Sequence, residues 1–174
     1  MGIILSVGCF VGAGIKTITP LGWFNTSRVT VTNNGYTVTS DGTGADSWFQ
    51  RNPWSDDISI NNVWSFSFNV SNNYNILGVA KTSKTDNDFI DIDYAFSRQE
   101  TSDLFIYENG ALGFSVGATA NGDILKISSD GVDVKYYLNG VLKYTSLTAP
   151  TNNAYKIKVD FFRKDSNVLT VLDY

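Results

Sequence analysis

The sequence contains no histidine. That removes the commonest general base near neutral pH and the commonest transition-metal ligand. A His-dependent catalytic triad is excluded. Cys9 is the only cysteine, so a cysteine-built zinc cluster and an intrachain disulfide are excluded as well. The fold must hold by packing and hydrogen bonding. Charge is scarce too: charged residues make up 17% of the chain, and 17 acidic against 13 basic residues leave a net charge of −4. The basic residues are scattered, whereas a duplex-binding surface needs them clustered to displace phosphate counterions. Nucleic acid is not an expected partner, and neither is insertion into a membrane. No stretch sustains helical periodicity over three turns. No linker, low-complexity tract or internal repeat divides the chain, and 174 residues suit one domain with a two-layer core.

Aromatic residues and tight turns are plentiful instead. There are four Trp, nine Tyr and eleven Phe. Six Asn-Gly or Asp-Gly pairs punctuate the chain: Asn34-Gly35, Asp41-Gly42, Asn109-Gly110, Asn121-Gly122, Asp130-Gly131 and Asn139-Gly140. Each can supply two successive residues at positive φ, as a type I′ hairpin turn requires. The last four predict a meander of hairpins with no room for a helix.

Between the turns the side chains alternate at period two. Strands are predicted over Arg28–Val31, Tyr36–Thr39, Val63–Val70, Ile76–Ala80, Phe89–Phe96, Leu104–Tyr107, Leu112–Val116, Ile124–Ser128, Val132–Leu138, Val141–Thr145, Tyr155–Phe162 and Val168–Leu172. In Val63–Val70, Trp64, Phe66, Phe68 and Val70 share one face. Ile76–Ala80 is almost wholly apolar, the mark of a central strand buried on both faces. Residues 41–57 break the pattern and read as a long loop. About twelve strands of this kind predict an all-β, two-sheet antiparallel sandwich of jelly-roll type.

Asp91 to Ser146 carries the segments IDYAF, LFIYENG and GDILKISSDGVDVKYYLNGVLKYTS. Tyr107–Gly110, Gly122–Ile127 and Tyr136–Ser146 in this stretch resemble the concanavalin A-like lectin/glucanase sandwich, in the variant found in phage virion and bacterial surface proteins. The resemblance implies the fold. It carries function only loosely, because such sandwiches host lectins, glycosidases and packing modules alike.

Candidate sites follow from residue chemistry. Glucanases resembling this fold place three acids as E-x-D-x-E along one strand, the outer pair acting as nucleophile and general acid. The corresponding stretch here is Phe89-Ile90-Asp91-Ile92-Asp93, which lacks the first acid; its expected reading is a strand with Asp91 and Asp93 on a solvated face. No catalytic residue and no enzyme activity are expected. Asp86, Asp88, Asp91 and Asp93 form a weak candidate calcium site, since hard cations want several converging oxygens, but no third ligand is spaced for it. No cofactor is expected. The loop residues Trp48, Phe49, Arg51, Asn52 and Trp54 are the candidate glycan-binding set: indole faces stack on sugar C–H faces while Arg and Asn bond hydroxyls. The competing reading is that these rings cap the open end of the core.

Residues 1–20 read as an apolar arm or first strand, followed by the sandwich domain over 21–174. Ile3, Ile4, Leu5, Val7, Phe10 and Val11 would form the contact surface of the arm. The segment has no basic n-region of a secretory signal. The expectation is therefore a non-enzymatic attachment component of a bacteriophage virion (tail, fibre or capsid exterior), forming a homo-oligomer with other virion proteins as neighbours and a host cell-surface glycan as candidate ligand. The alternative is a secreted or surface carbohydrate-binding or adhesin module of a bacterium.

Overall fold

A computed structural model describes residues 21–46, 51, 53–57, 62–71, 74–84, 89–151, 153–163 and 168–173. The proposed arm, with Trp48, Phe49, Asn52, Asp86 and Asp88, lies outside these described residues. The described chain is a sandwich of two seven-stranded antiparallel sheets. The first sheet runs, in spatial order, β1 (Trp23–Phe24), β4 (Trp54–Asp57), β13 (Tyr155–Phe161), β6 (Asn75–Lys81), β7 (Tyr94–Arg98), β8 (Asp103–Glu108) and β9 (Ala111–Ala118). The second runs β12 (Val141–Thr145), β11 (Val134–Leu138), β10 (Ile124–Asp130), β5 (Val63–Ser71), β14 (Val168–Asp173), β3 (Thr37–Ser40) and β2 (Val29–Thr32). The only helical pieces among the described residues are two 3₁₀ turns, Asn33–Gly35 and Phe89–Asp91.

Period-two alternation builds the core, as expected of sheets that each bury one face. Trp64, Phe66 and Phe68 of β5 point inward and meet Tyr94, Phe96 and Tyr155 from the first sheet. The rings of Phe96 and Tyr136 pack edge-on at 5.3 Å, one from each sheet. β6 is buried from Asn75 to Ala80 on both faces, as its apolar run predicts. Gly78 lies against β7 so closely that an added Cβ would come within 2.6 Å of Ala95 Cα. No larger residue fits there.

The turn pairs divide by chemistry. Asn109-Gly110 and Asn139-Gly140 have positive φ at both residues and close the β8–β9 and β11–β12 hairpins. Asn34-Gly35 also has both φ positive, but sits in a 3₁₀ turn between β2 and β3. The other three pairs are corrections to the simple hairpin expectation, because positive φ occurs only at the glycine. In two of them the Asp side chain shapes the turn: Asp41 Oδ1 accepts the Thr43 N–H at 2.8 Å, and Asp130 Oδ1 accepts the Asp133 N–H at 2.8 Å. Asn121-Gly122 joins no hairpin, since β9 and β10 belong to different sheets. Residues 41–57 are not wholly loop: β4 occupies their last four positions.

Candidate functional site

The outer face of the first sheet carries the chemistry. Reading across the ladder, Phe24, Trp54, Lys158, Gly78, Ala95, Tyr107 and Leu112 form one row. Asp160, Ile76, Ser97, Phe105 and Ser115 form the next. Most of the centre is buried, including Lys158 and Asp160. Part of its cover is the segment Phe89–Asp93, which folds back over the sheet.

That segment corrects the expected strand Phe89–Phe96. Phe89–Asp91 is a 3₁₀ turn closed by the Ile92 N–H on Phe89 O at 3.0 Å, and β7 begins only at Tyr94. The reason is apolar. A strand would set Phe89 on the same side as Asp91 and Asp93, whereas a three-residue turn brings Phe89 and Ile92 together. Both then pack on Ile76, Ala95 and Tyr107, with the Phe89 and Tyr107 rings edge-on at 6.0 Å.

The two aspartates consequently part company. Asp91 faces Lys158, at 3.8 Å. Asp93 is buried rather than solvated; its Oδ2 accepts the Lys81 backbone N–H at 2.8 Å and its Oδ1 pairs with Lys84 Nζ at 2.8 Å. Each carboxylate is neutralised by a different lysine, which leaves no glucanase-like pair between them. Among the described residues no group of three or more acidic, Cys or His side chains is placed to hold a metal ion, and two of the four candidate calcium ligands, Asp86 and Asp88, lie outside those residues.

The candidate glycan residues that are described do not converge either. Arg51 is fully buried, its guanidinium donating to the carbonyl oxygens of Thr43, Ala45 and Phe162. It ties the 41–46 loop to the end of β13. Trp54 does reach the outer face. Its ring stacks on Phe24 at 6.5 Å, and Lys156 Nζ lies 4.9 Å above it.

Four strand spacings from Trp54, about 19 Å across the sheet, lies an open groove of about 380 Å³ lined by Tyr74, Gln99, Glu100, Thr101, Asp103, Phe105 and Leu112. Strand pairing assembles it. Phe105 and Leu112 point outward from β8 and β9, while Gln99 to Asp103 form the β7–β8 turn. Tyr74 is pinned at one side: its N–H donates to Arg98 O at 2.8 Å, its carbonyl accepts the Phe162 N–H at 3.1 Å, and its ring packs on Phe162 at 4.3 Å. Both Tyr74 and Ser102 hold left-handed backbone, at φ 68° and 71°. That conformation costs a non-glycine residue about 1–2 kcal/mol, and such residues cluster where a surface is shaped for use.

Polar groups ring the apolar floor. Thr101 Oγ1 donates to Asp103 Oδ2 at 2.7 Å, Gln99 Nε2 donates to Ser97 Oγ at 2.7 Å, and Glu100 pairs with Arg163. Among the described residues no Lys or Arg lines the groove itself, and Arg163 reaches it through Glu100. Two aromatic rings and a leucine beside two carboxylates, an amide and a hydroxyl make a binding surface in which apolar faces supply contact and a few polar groups set orientation. The signal for it in the sequence is Asp103–Glu108, DLFIYE: Leu104 and Ile106 fill the core, so Phe105 and Tyr107 put large rings on the outer face as well.

Comparison with solved structures places this architecture among concanavalin A-like β-sandwiches. The TRIM65 PSpry domain superposes with a TM-score of 0.61 at 15% identity, over 89% of this chain and 90% of that one. The SPRY domain of human HERC1 gives 0.61 at 14% identity, over 83% and 92%. An alginate lyase from Corynebacterium sp. gives 0.52 at 13% identity, over 82% and 77%. No protein-family model matches the chain, and no curated protein matches it. At these identities the likeness is one of fold: this chain has a concanavalin A-like β-sandwich fold.

Proposed function

We propose that this chain is a non-enzymatic attachment module that holds a neutral, hydroxyl-rich glycan in the groove between Tyr74, Phe105 and Leu112. The groove itself carries the reading. Sugar C–H faces fit the rings of Tyr74 and Phe105, while Asp103, Glu100, Gln99 and Thr101 stand where ring hydroxyls need partners. Glu100 is paired with Arg163, and among the described residues the lining offers no cluster of Lys or Arg of the kind that would draw in a polyanion, such as the alginate on which one of the structural neighbours acts. The non-enzymatic part of the reading is supported by the pairing of Asp91 and Asp93 with separate lysines, which leaves no glucanase-like pair there. The setting that goes with the reading is the exterior of a bacteriophage virion, and the alternative is a bacterial surface or secreted adhesin. Both use the same binding chemistry, and the genes flanking this one discriminate them.

The test is a glycan array probed with wild type, Phe105→Ala and Asp103→Asn, followed by mass spectrometry of the recovered ligand. Saturable binding to neutral glycans, weakened in both variants, with the ligand recovered intact, is the expected result. Equal binding by Phe105→Ala, or cleaved ligand, would overturn it.

A further inference from the structure

We infer that the edge of the first sheet among the described residues, strand β9 flanked by β12, receives residues 3–11 of a second copy of this chain. The inference does not rest on what the groove binds. A sandwich of two open sheets has four margins. Here β1 contributes two residues, β2 four, β12 five and β9 eight. Short edges resist unwanted pairing, and long ones are blunted by Lys, Pro or other charge, or by bulges that twist the edge away; the device that β9 carries is the bulge, not charge or proline. From Asn109 to Gly122 there is no charged residue and no proline.

The same margin is apolar and open. Leu112 and Phe114 of β9 are 52% and 49% exposed, and Val141 and Leu142 of β12 are 58% and 49% exposed. The Phe114 and Tyr144 rings stack at 5.3 Å across the two edges. Exposed apolar side chains gathered at one margin mark a surface that meets a partner.

The shape of the edge selects the partner. Register shifts between Leu104 and Phe105 and between Phe105 and Tyr107 put two irregularities into the β8–β9 ladder. Bulges bend a strand and raise its twist, so two copies of β9 cannot pair flat with one another. A separate extended segment can follow the bend, as in strand addition to a sheet edge. Residues 3–11, IILSVGCFV, are such a segment. They are uncharged, and Ile3, Leu5, Val7, Cys9 and Val11 alternate with the rest, which gives an extended chain one wholly apolar face. Nine residues reach about 30 Å, enough to run the length of β9.

Distance then favours a neighbour's arm over the chain's own. Leu21 enters at the β1 margin, and β9 is the opposite margin of the same sheet. Six strand spacings separate them, about 29 Å. The ten residue steps from Leu21 back to Val11 span at most about 33–36 Å. Reaching its own β9 would require nearly all of that length pulled straight across the face. A neighbouring copy imposes no such demand. Leu112 belongs to both the β9 edge and the groove, so an arm seated on β9 would also wall the open side of the groove.

The experiment uses the full-length chain. Light scattering should show self-association at micromolar concentration in wild type. Val7→Asp in the arm and Phe114→Glu on the edge should each reduce it to monomer, while Phe24→Glu at the opposite margin leaves it unchanged. A second measurement guards against misfolded variants: with Ser115→Cys added, oxidation should link Cys9 of one chain to residue 115 of another, giving covalent multimers on a non-reducing gel that Cys9→Ser abolishes. A monomeric wild type, an intact oligomer in either charged variant, or an intrachain Cys9–115 link in place of the interchain one would each overturn the inference.

Discussion

The hydroxyl of Tyr136 donates to Glu108 Oε1 at 2.8 Å, a bond that crosses from the second sheet to the first. Glu108 Oε2 accepts Ser146 Oγ at 3.0 Å, so a single carboxylate ties the β8–β9 hairpin to two points on the opposite sheet. Burial raises the Glu108 carboxyl above its ordinary value, outweighing the two hydrogen bonds, which act in the other direction. A group whose folded pKa is raised contributes its full stability below the unfolded pKa and loses it as pH rises through the folded value. The charged form of Glu108 is therefore a liability towards neutral pH. Glu108→Gln should gain stability relative to wild type as pH rises from about 4 towards 7, as measured by urea denaturation at several pH values. Glu108→Ala should instead lose about 1–3 kcal/mol, because it strands the buried Tyr136 hydroxyl.

Asp93 supports the turn that carries it. Removing its carboxylate in Asp93→Ala leaves the Lys81 N–H and Lys84 Nζ without an acceptor they now use. A loss of about 2–3 kcal/mol is expected in denaturant titrations. Lys84→Met should cost less, because that ammonium is partly exposed.

Arg51 acts on stability through a buried fork. Its guanidinium serves three carbonyl groups from two separate segments, which a lysine ammonium cannot reach in the same geometry. Arg51→Lys should lower stability by about 2 kcal/mol and Arg51→Ala by about 3 kcal/mol. Glycan affinity of the folded fraction should stay unchanged, in contrast to a residue that touches ligand.

Gly78 tests the packing between β6 and β7. Its missing side chain is what lets Ala95 sit so close, and the neighbouring atoms are largely backbone, which cannot rotate away. Gly78→Ala should destabilise by about 1–3 kcal/mol, read as a fall in the denaturation midpoint with unchanged slope.

The sandwich was legible where local pattern and tertiary context agree. The alternation of Trp64, Phe66 and Phe68 and the apolar run of β6 appear as predicted. Asn109-Gly110 and Asn139-Gly140 close hairpins because both residues can take positive φ. Asn121-Gly122 has the same composition and joins different sheets; the residues of a turn do not encode which layer the next strand enters. Phe89–Asp93 misled because its alternation is genuine, but the apolar patch of Ile76, Ala95 and Tyr107 beneath it rewards a 3₁₀ turn more than another strand. Arg51 stands among polar and aromatic neighbours in the sequence, and nothing local says that the carbonyls of Thr43, Ala45 and the distant Phe162 enclose it. The groove was illegible for a similar reason: Tyr74, the Gln99–Asp103 turn and Leu112 meet only through the registers of β7, β8 and β9.

The central claim is that the outer face of the first sheet binds glycan at the Tyr74–Phe105 groove. Its most direct test is to titrate isotope-labelled protein with a neutral oligosaccharide selected from the array and follow the backbone amides by NMR. The account predicts saturable shifts confined to Tyr74, residues 99–105 and Leu112. Shifts centred instead on Phe24 and Trp54, or spread along the opposite sheet, would contradict it.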